Sequence, residues 1–291
     1  MRKLILTIVG GLAVSASPAV SAQDAAAPPP AAPTTIVYSN DGMSRMSDLP
    51  MGIHRIPDSN VVISGHQKGG ALGLLFGPVG MMVQSSANAG DGTAKVQSME
   101  DDLRFDAITK AGELTQAILA DGKYQQTFLL GSTPSGRTLN VVPYVVITFH
   151  NETDVRPYIV LKAKLATGAP NESPKAVKYF CCEGKAFPLL GENGLAANGG
   201  ARLKELLTSE LETAIQVMLL DRSTPYTRDK SARVNTNGFL PFVGKPLKMR
   251  GYDLGRYKDY SLIDYQTGIL VFGGVNIVEP GALEITPVPP K

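Results

Sequence analysis

Few side chains in this sequence are of a type and spacing that could do chemistry. Cys181 and Cys182 are the only cysteines, and they are adjacent. Two readings stand side by side. On a strand, one sulfur faces in and the other faces out. In an oxidising compartment the two could join as a vicinal disulfide, a small strained ring. Neither reading makes a disulfide framework, which needs partners far apart in the chain. The three histidines, His54, His66 and His150, are widely separated. HExxH and Cys/His clusters are absent, so neither a metal site nor a cofactor is expected. His150 falls in a turn between two strands, where its ring is expected to be solvated.

The nucleophile elbow G-x-S-x-G, the S-x-x-K pair, the dinucleotide glycine fingerprint and the Walker loop are all missing. Carboxylates are plentiful, and two of them brought together by the fold could make a hydrolase. Spacing alone pairs none of them, so the chain reads as non-enzymatic.

Two stretches are suited to binding. In the first, Tyr252, Tyr257, Tyr260 and Tyr265 lie among Arg250, Arg256 and Lys258. A tyrosine ring has an apolar face and a polar tip, which suits a glycan or a partner surface. The same rings equally well cover the core of their own hairpin.

The second stretch, residues 69–90, carries no charge. Gly69, Gly73, Gly77 and Gly80 fall at i, i+4, i+8 and i+11, one face of a helix, where another backbone can approach closely. Leu75, Val79 and Met82 share another side. Pro78 breaks the pattern, because it removes a helical bond and disfavours helix at Gly77. The strongly apolar part, residues 71–83, is shorter than the roughly 20 residues that span a bilayer. It is expected to be buried core, a partner-packing surface or an interfacial segment. Peripheral membrane contact, self-association and contact with an envelope protein all follow from the latter two. An apolar ligand held between helix and sheet is a further alternative.

Around these stretches lie the elements that must position them. Residues 1–22 combine Arg2 and Lys3, an apolar run and a Val20-Ser21-Ala22 cleavage site, and read as a secretory signal peptide. Residues 23–34 are an Ala/Pro-rich tether. Residues 35–220 read as an α+β domain. Short strands are expected at residues 35–39 and 60–64. Ser98 with Asp101 is a capping signal for a helix reaching about Ala120. Its stripe is Leu103, Ala107, Ala111, Leu114 and Ile118.

Strands at 124–130, 139–149, 155–165 and 176–182 follow. Residues 139–149 are apolar almost throughout and need cover on both faces. Pro143 within them predicts a bulge. A second helix spans 201–220, with Leu203, Leu207, Leu211, Ala214, Ile215 and Met218 inward. Lys204, Glu205, Glu210 and Glu212 fall mostly outside that stripe. Residues 221–238 read as a linker or long loop, 239–286 as a β-rich C-terminal region with a hairpin at 261–272, and 287–291 as a loose tail. The expected fold class is thus α+β, an antiparallel β meander covered by two amphipathic helices, plus the C-terminal β-hairpin region.

Hydrophobic residues make up 43% of the chain, enough to build such a core. Loss of residues 1–22 removes two basic side chains and leaves 26 Lys and Arg against 26 Asp and Glu. A zero balance excludes the basic footprint of a nucleic-acid binder.

The layout resembles uncharacterised exported envelope proteins of Gram-negative bacteria. The likeness rests on Val61–Ser64, on Gly69-Gly70-Ala71-Leu72-Gly73 and on the capped helix from Ser98. It implies an envelope location, in the periplasm or at the outer-membrane periphery, and no particular activity.

Overall fold

The structure is a computed structural model. It describes residues 32–40, 49, 53–64, 99–132, 136–167, 176–226, 229, 232–265 and 272–289. The glycine-faced stretch, with Gly69, Gly73, Leu75, Gly77, Val79, Gly80 and Met82, lies outside the described residues. So do His66 and residues 1–22, the stretch read as a signal peptide.

The N-terminal strands are β1 (Thr34–Tyr38), β2 (Ile53–Arg55), β3 (Val61–Ser64) and β4 (Phe128–Leu130). The middle strands are β5 (Thr138–Phe149), β6 (Asp154–Ala166), β7 (Ala176–Glu183) and β8 (Phe187–Pro188). The C-terminal strands are β9 (Arg233–Gly238), β10 (Leu247–Tyr257), β11 (Tyr260–Tyr265), β12 (Gly274–Val278) and β13 (Leu283–Pro287). All thirteen join one sheet, with the main order β13-β9-β10-β11-β12-β7-β6-β5-β1-β4. Two long helices, α2 (Ala107–Ala120) and α3 (Ala197–Ser223), and the single turn α1 (Glu100–Leu103) complete the described elements.

This corrects the expected fold class. β5, β6 and β7 are antiparallel neighbours, but they form the middle of a larger mixed sheet rather than a free-standing meander. Parallel pairs join β1 to β4 and β5, β3 to β5, and β12 to β7. The C-terminal strands extend the same sheet, because β12 lies along β7 with Val275 opposite Tyr179 and Ile277 opposite Cys181. β11 pairs with β12 at Tyr265↔Gly274, so the expected hairpin partner is displaced toward the C-terminus. β9 occupies part of the stretch read as a loop. Side-chain alternation reports which residues share a face and says nothing about which strand lies alongside.

The sheet has a core on each side. Toward α2 and α3 point Leu139, Val141, Val145, Ile147, Ile159, Leu161, Tyr179 and Cys181. The alternate residues Tyr144, Val146, Tyr158, Val160 and Phe180 pack instead with Leu240, Phe242, Val243, Ile263 and Tyr265. The β9–β10 connection therefore folds beneath the middle strands. The Phe242 amide donates to Thr148 Oγ1 at 3.1 Å. His150 is not a free turn residue: its ring meets Phe239 edge-on at 4.1 Å.

Pro143 sits in unbroken register opposite Leu161, without the expected bulge. The reason lies on the other side of β5. β1 covers β5 only as far as Val141, and β3 takes over at Val145. The Val145 amide points toward β3, donating to the Asn60 carbonyl. By the two-residue period, the nitrogen of Pro143 points to that same side. It falls in the gap between two partner strands, where no ladder bond is lost.

Ser98, the expected cap, lies outside the described residues, and the helix expected to run from it to about Ala120 is divided into α1 and α2. α2 begins with its own cap, the Asp106 carboxylate accepting from the Thr109 amide at 3.0 Å. It buries Ala107, Ala111, Thr115 and Leu119. In α3, Asn198, Gly199 and Gly200 are left-handed, and regular turns start after them. Gly200 has φ +71°, and a Cβ there would stand 1.8 Å from the Asp102 carbonyl oxygen. Only glycine lets α1 abut the start of α3.

Candidate functional site

The second half of α3 is enclosed. The sheet lies beneath it, and the β10–β11 hairpin leans over it, with the Tyr257 hydroxyl donating to Gln216 Oε1 at 2.5 Å. Leu203, Leu207, Glu210, Ala214, Val217 and Asp221 are all buried, spaced by alternating steps of four and three. That spacing keeps them on one seam. Two carboxyls thus stand where a core helix ordinarily carries leucine, about 16 Å apart along the axis.

Glu210 is 7% exposed, not among the surface charges of the helix. It faces the end of β7, where Ile277 pairs with Cys181 but Val278 pairs with Glu183. The extra residue, Cys182, is bulged, and its amide donates to the Glu210 carboxyl. Oε2 of Glu210 has no hydrogen-bond partner. Glu279, just beyond β12, presses its carboxylate on Gly184, where a Cβ would stand 2.6 Å from Oε2. Tyr260 closes the group with a hydrogen bond to Thr213.

Burial lifts the Glu210 carboxyl well above its ordinary range, and the charge of Glu279 adds to that. The Cys182 amide opposes both. Burial also raises Glu279, against the pull of Lys185. Tyr260 is raised by burial and then by Glu279. The cluster can hold and release a proton. It offers little surface to a substrate, since the strongest acid–base candidate is turned inward.

Cys181 and Cys182 are bonded to each other and buried beside this cluster.

Asp221 organises the far end of the seam. It accepts from the Tyr179 hydroxyl at 2.6 Å and from the Tyr226 amide at 3.1 Å. The Arg222 guanidinium lies over the Tyr179 ring, 5.8 Å from its centre. Burial, then the Asp221 charge, pushes Tyr226 up to about 12. Neither Glu210 nor Asp221 is prominent in the sequence. The usable signal is their four-and-three spacing with Leu203 and Leu207.

The tyrosines expected at a partner surface are not gathered into one. Tyr257 and Tyr260 are half-buried against α3, whereas Tyr252 is 8% exposed on β10, its hydroxyl 3.4 Å from Arg233 Nη2. Arg256 is exposed on the hairpin, opposite Ser261. Tyr265 is fully buried and shares a hydrogen bond with Thr236 at 2.7 Å. His54 bonds Glu100 at 2.8 Å, linking β2 to α1. No group of three or more metal-ligating side chains occurs among the described residues.

The large exposed apolar side chains among the described residues are elsewhere. Leu129 and Leu130 on β4 are 50% and 38% exposed, and Leu190 stands in the turn before α3. β4 ends the strand order and pairs, among the described residues, with β1 alone.

Comparison with protein-family models, with curated proteins and with solved structures gave no match. No helix among the described residues is long and apolar enough to cross a membrane.

Proposed function

We propose that this chain is an exported, non-catalytic protein of the cell envelope that assembles with another envelope protein through the open edge of its sheet. The observation that carries this reading is β4. Its outer edge is unpaired among the described residues, and Leu129 and Leu130 are exposed on it. Natural edges are usually guarded by charge, proline or a bulge. An apolar edge is instead suited to strand addition, in which main-chain bonds give affinity and side chains give selectivity. Burying the exposed parts of two leucines contributes roughly 2 kcal/mol beyond those bonds.

The signal-like N-terminus supports export, and joined cysteines suit an oxidising compartment. The uncharged residues 69–90 offer a further contact, to the partner or to the membrane periphery.

The test is fractionation of cells producing the full chain, followed by size-exclusion of the envelope extract. The expected result is release with the periplasmic fraction in a complex larger than the 30.9 kDa chain. Replacing Leu129 and Leu130 together by lysine should return the protein to the monomer position. Retention in the cytoplasm, or a monomer before and after substitution, would overturn the reading.

A further inference from the structure

The outer face of β13, β9 and β10 carries a registered array of polar side chains. Glu284, Asn237 and Lys248 are mutually opposite and make one row. Thr286, Asn235 and Arg250 make the next. All six line a depression of about 520 Å³. Their inward-facing neighbours, Val234, Leu247, Met249, Leu283 and Ile285, belong to or pack on the second core, which fixes the orientation of the rows. Residues two apart on a strand are about 7 Å apart, and neighbouring strands are about 4.8 Å apart, so the grid measures roughly 7 by 10 Å.

The array is largely unspent. Asn237 donates to Glu284 at 3.2 Å, the one side-chain bond within it. Neither Lys248 nor Arg250 makes an ion pair among the described residues. A larger depression of about 710 Å³ between α2 and α3 differs in this respect. Its Lys110 is bound to Glu113 at 2.6 Å, its Lys204 to the Gly199 carbonyl at 2.7 Å, and its Arg104 to Asp101 at 3.3 Å.

We propose that this face is a binding site for an acidic oligosaccharide. Two cations with no ion pair among the described residues lie side by side on β10, and a guanidinium holds a carboxylate with two parallel bonds. Asn235 and Asn237 each offer a donor and an acceptor, the pair that neighbouring sugar hydroxyls require. Thr286 and Glu284 add acceptors at the far side. A protein partner would instead need an aromatic or aliphatic anchor at the centre of the patch, and the rows contain none. Single-stranded nucleic acid would need stacking rings, which are likewise absent from the rows. The site does not depend on the edge contact at β4, and either could fail alone.

Isothermal titration of the full chain tests the assignment. The probes are an oligogalacturonate, a malto-oligosaccharide of equal length as the neutral control, and an oligoglutamate as the acidic peptide control. The expected result is binding of the oligogalacturonate alone, weakening as salt rises. Lys248→Ala and Arg250→Ala should each weaken it by roughly ten- to a hundredfold, the effect of one charge-assisted hydrogen bond. Lys164→Ala, an exposed cation on β6, should leave it unchanged. All three positions are exposed, so the variants should fold, and unchanged circular dichroism verifies that. No binding of the oligogalacturonate, equal binding of the neutral sugar, or indifference to Lys248 and Arg250 would overturn the proposal. Equal binding of oligoglutamate would transfer the face to an acidic protein partner and overturn it too.

Discussion

Replacing Glu210 by glutamine tests the buried seam directly. The carboxyl is enclosed by α3, the β7 bulge and Glu279, and its folded-state pKa is raised. In the unfolded chain it titrates at about 4.3. Between those two values the folded protein binds a proton that the unfolded chain has already released. Stability therefore falls as pH rises through this window, by up to about 1.4 kcal/mol per pH unit for one proton. Below the window the group contributes its full stability, and above the folded value that contribution is gone. Glutamine keeps the acceptor for the Cys182 amide but has no charge to bury. The variant should match the wild type in acid and become increasingly more stable toward alkaline pH. Urea unfolding at a series of pH values, read as midpoints at constant slope, measures both curves. Glu279→Gln offers an internal check. It removes the second cause of the shift, so the wild-type decline should end at lower pH. Parallel curves for wild type and Glu210→Gln, or a variant less stable at every pH, would refute the reasoning.

Three further outcomes follow from particular contacts. Gly200→Ala should lower thermal stability sharply, by on the order of 3 kcal/mol, because a left-handed residue and a contact with the Asp102 carbonyl are both disturbed. Tyr179→Phe removes a buried donor to Asp221 and should cost about 1–3 kcal/mol in chemical unfolding. Leu129→Lys with Leu130→Lys should change monomer stability by no more than about 0.5 kcal/mol, since both side chains are exposed, while abolishing the proposed assembly on size-exclusion.

Local elements are legible in the sequence where one physical period dominates. The apolar run at 139–149 signals a strand covered on both faces, and Leu203, Leu207 and Leu211 mark α3. What the period leaves open is partnership. Nothing in Val275–Val278 tells a hairpin partner from a parallel neighbour of β7, because both arrangements bury the same residues. Pro143 misleads for a related reason. A bulge is the usual accommodation of proline, and the alternative, a change of partner strand, depends on β1 and β3 more than 70 residues earlier.

The carboxyls are hidden differently. Glutamate and aspartate are read as surface by type, yet Glu210 and Asp221 hold core positions, where the bulged Cys182 amide and the Tyr179 hydroxyl receive them. The polar array is invisible along the chain, because its rows form only when β13 returns beside β9.

The placement of β12 has a consequence for synthesis. Among the described residues it is the one strand paired both to the middle of the sheet and to the C-terminal strands, and Val275 meets Tyr179 across a separation of about 96 residues. Closing so long a loop is slow and comes late. A nascent chain whose β12 is not yet free would leave β7 with an unsatisfied edge and the flank of α3 uncovered. The protein can complete its interior only once β12 is free to reach β7. If the chain is exported as proposed above, that delay would favour the unfolded state during transit.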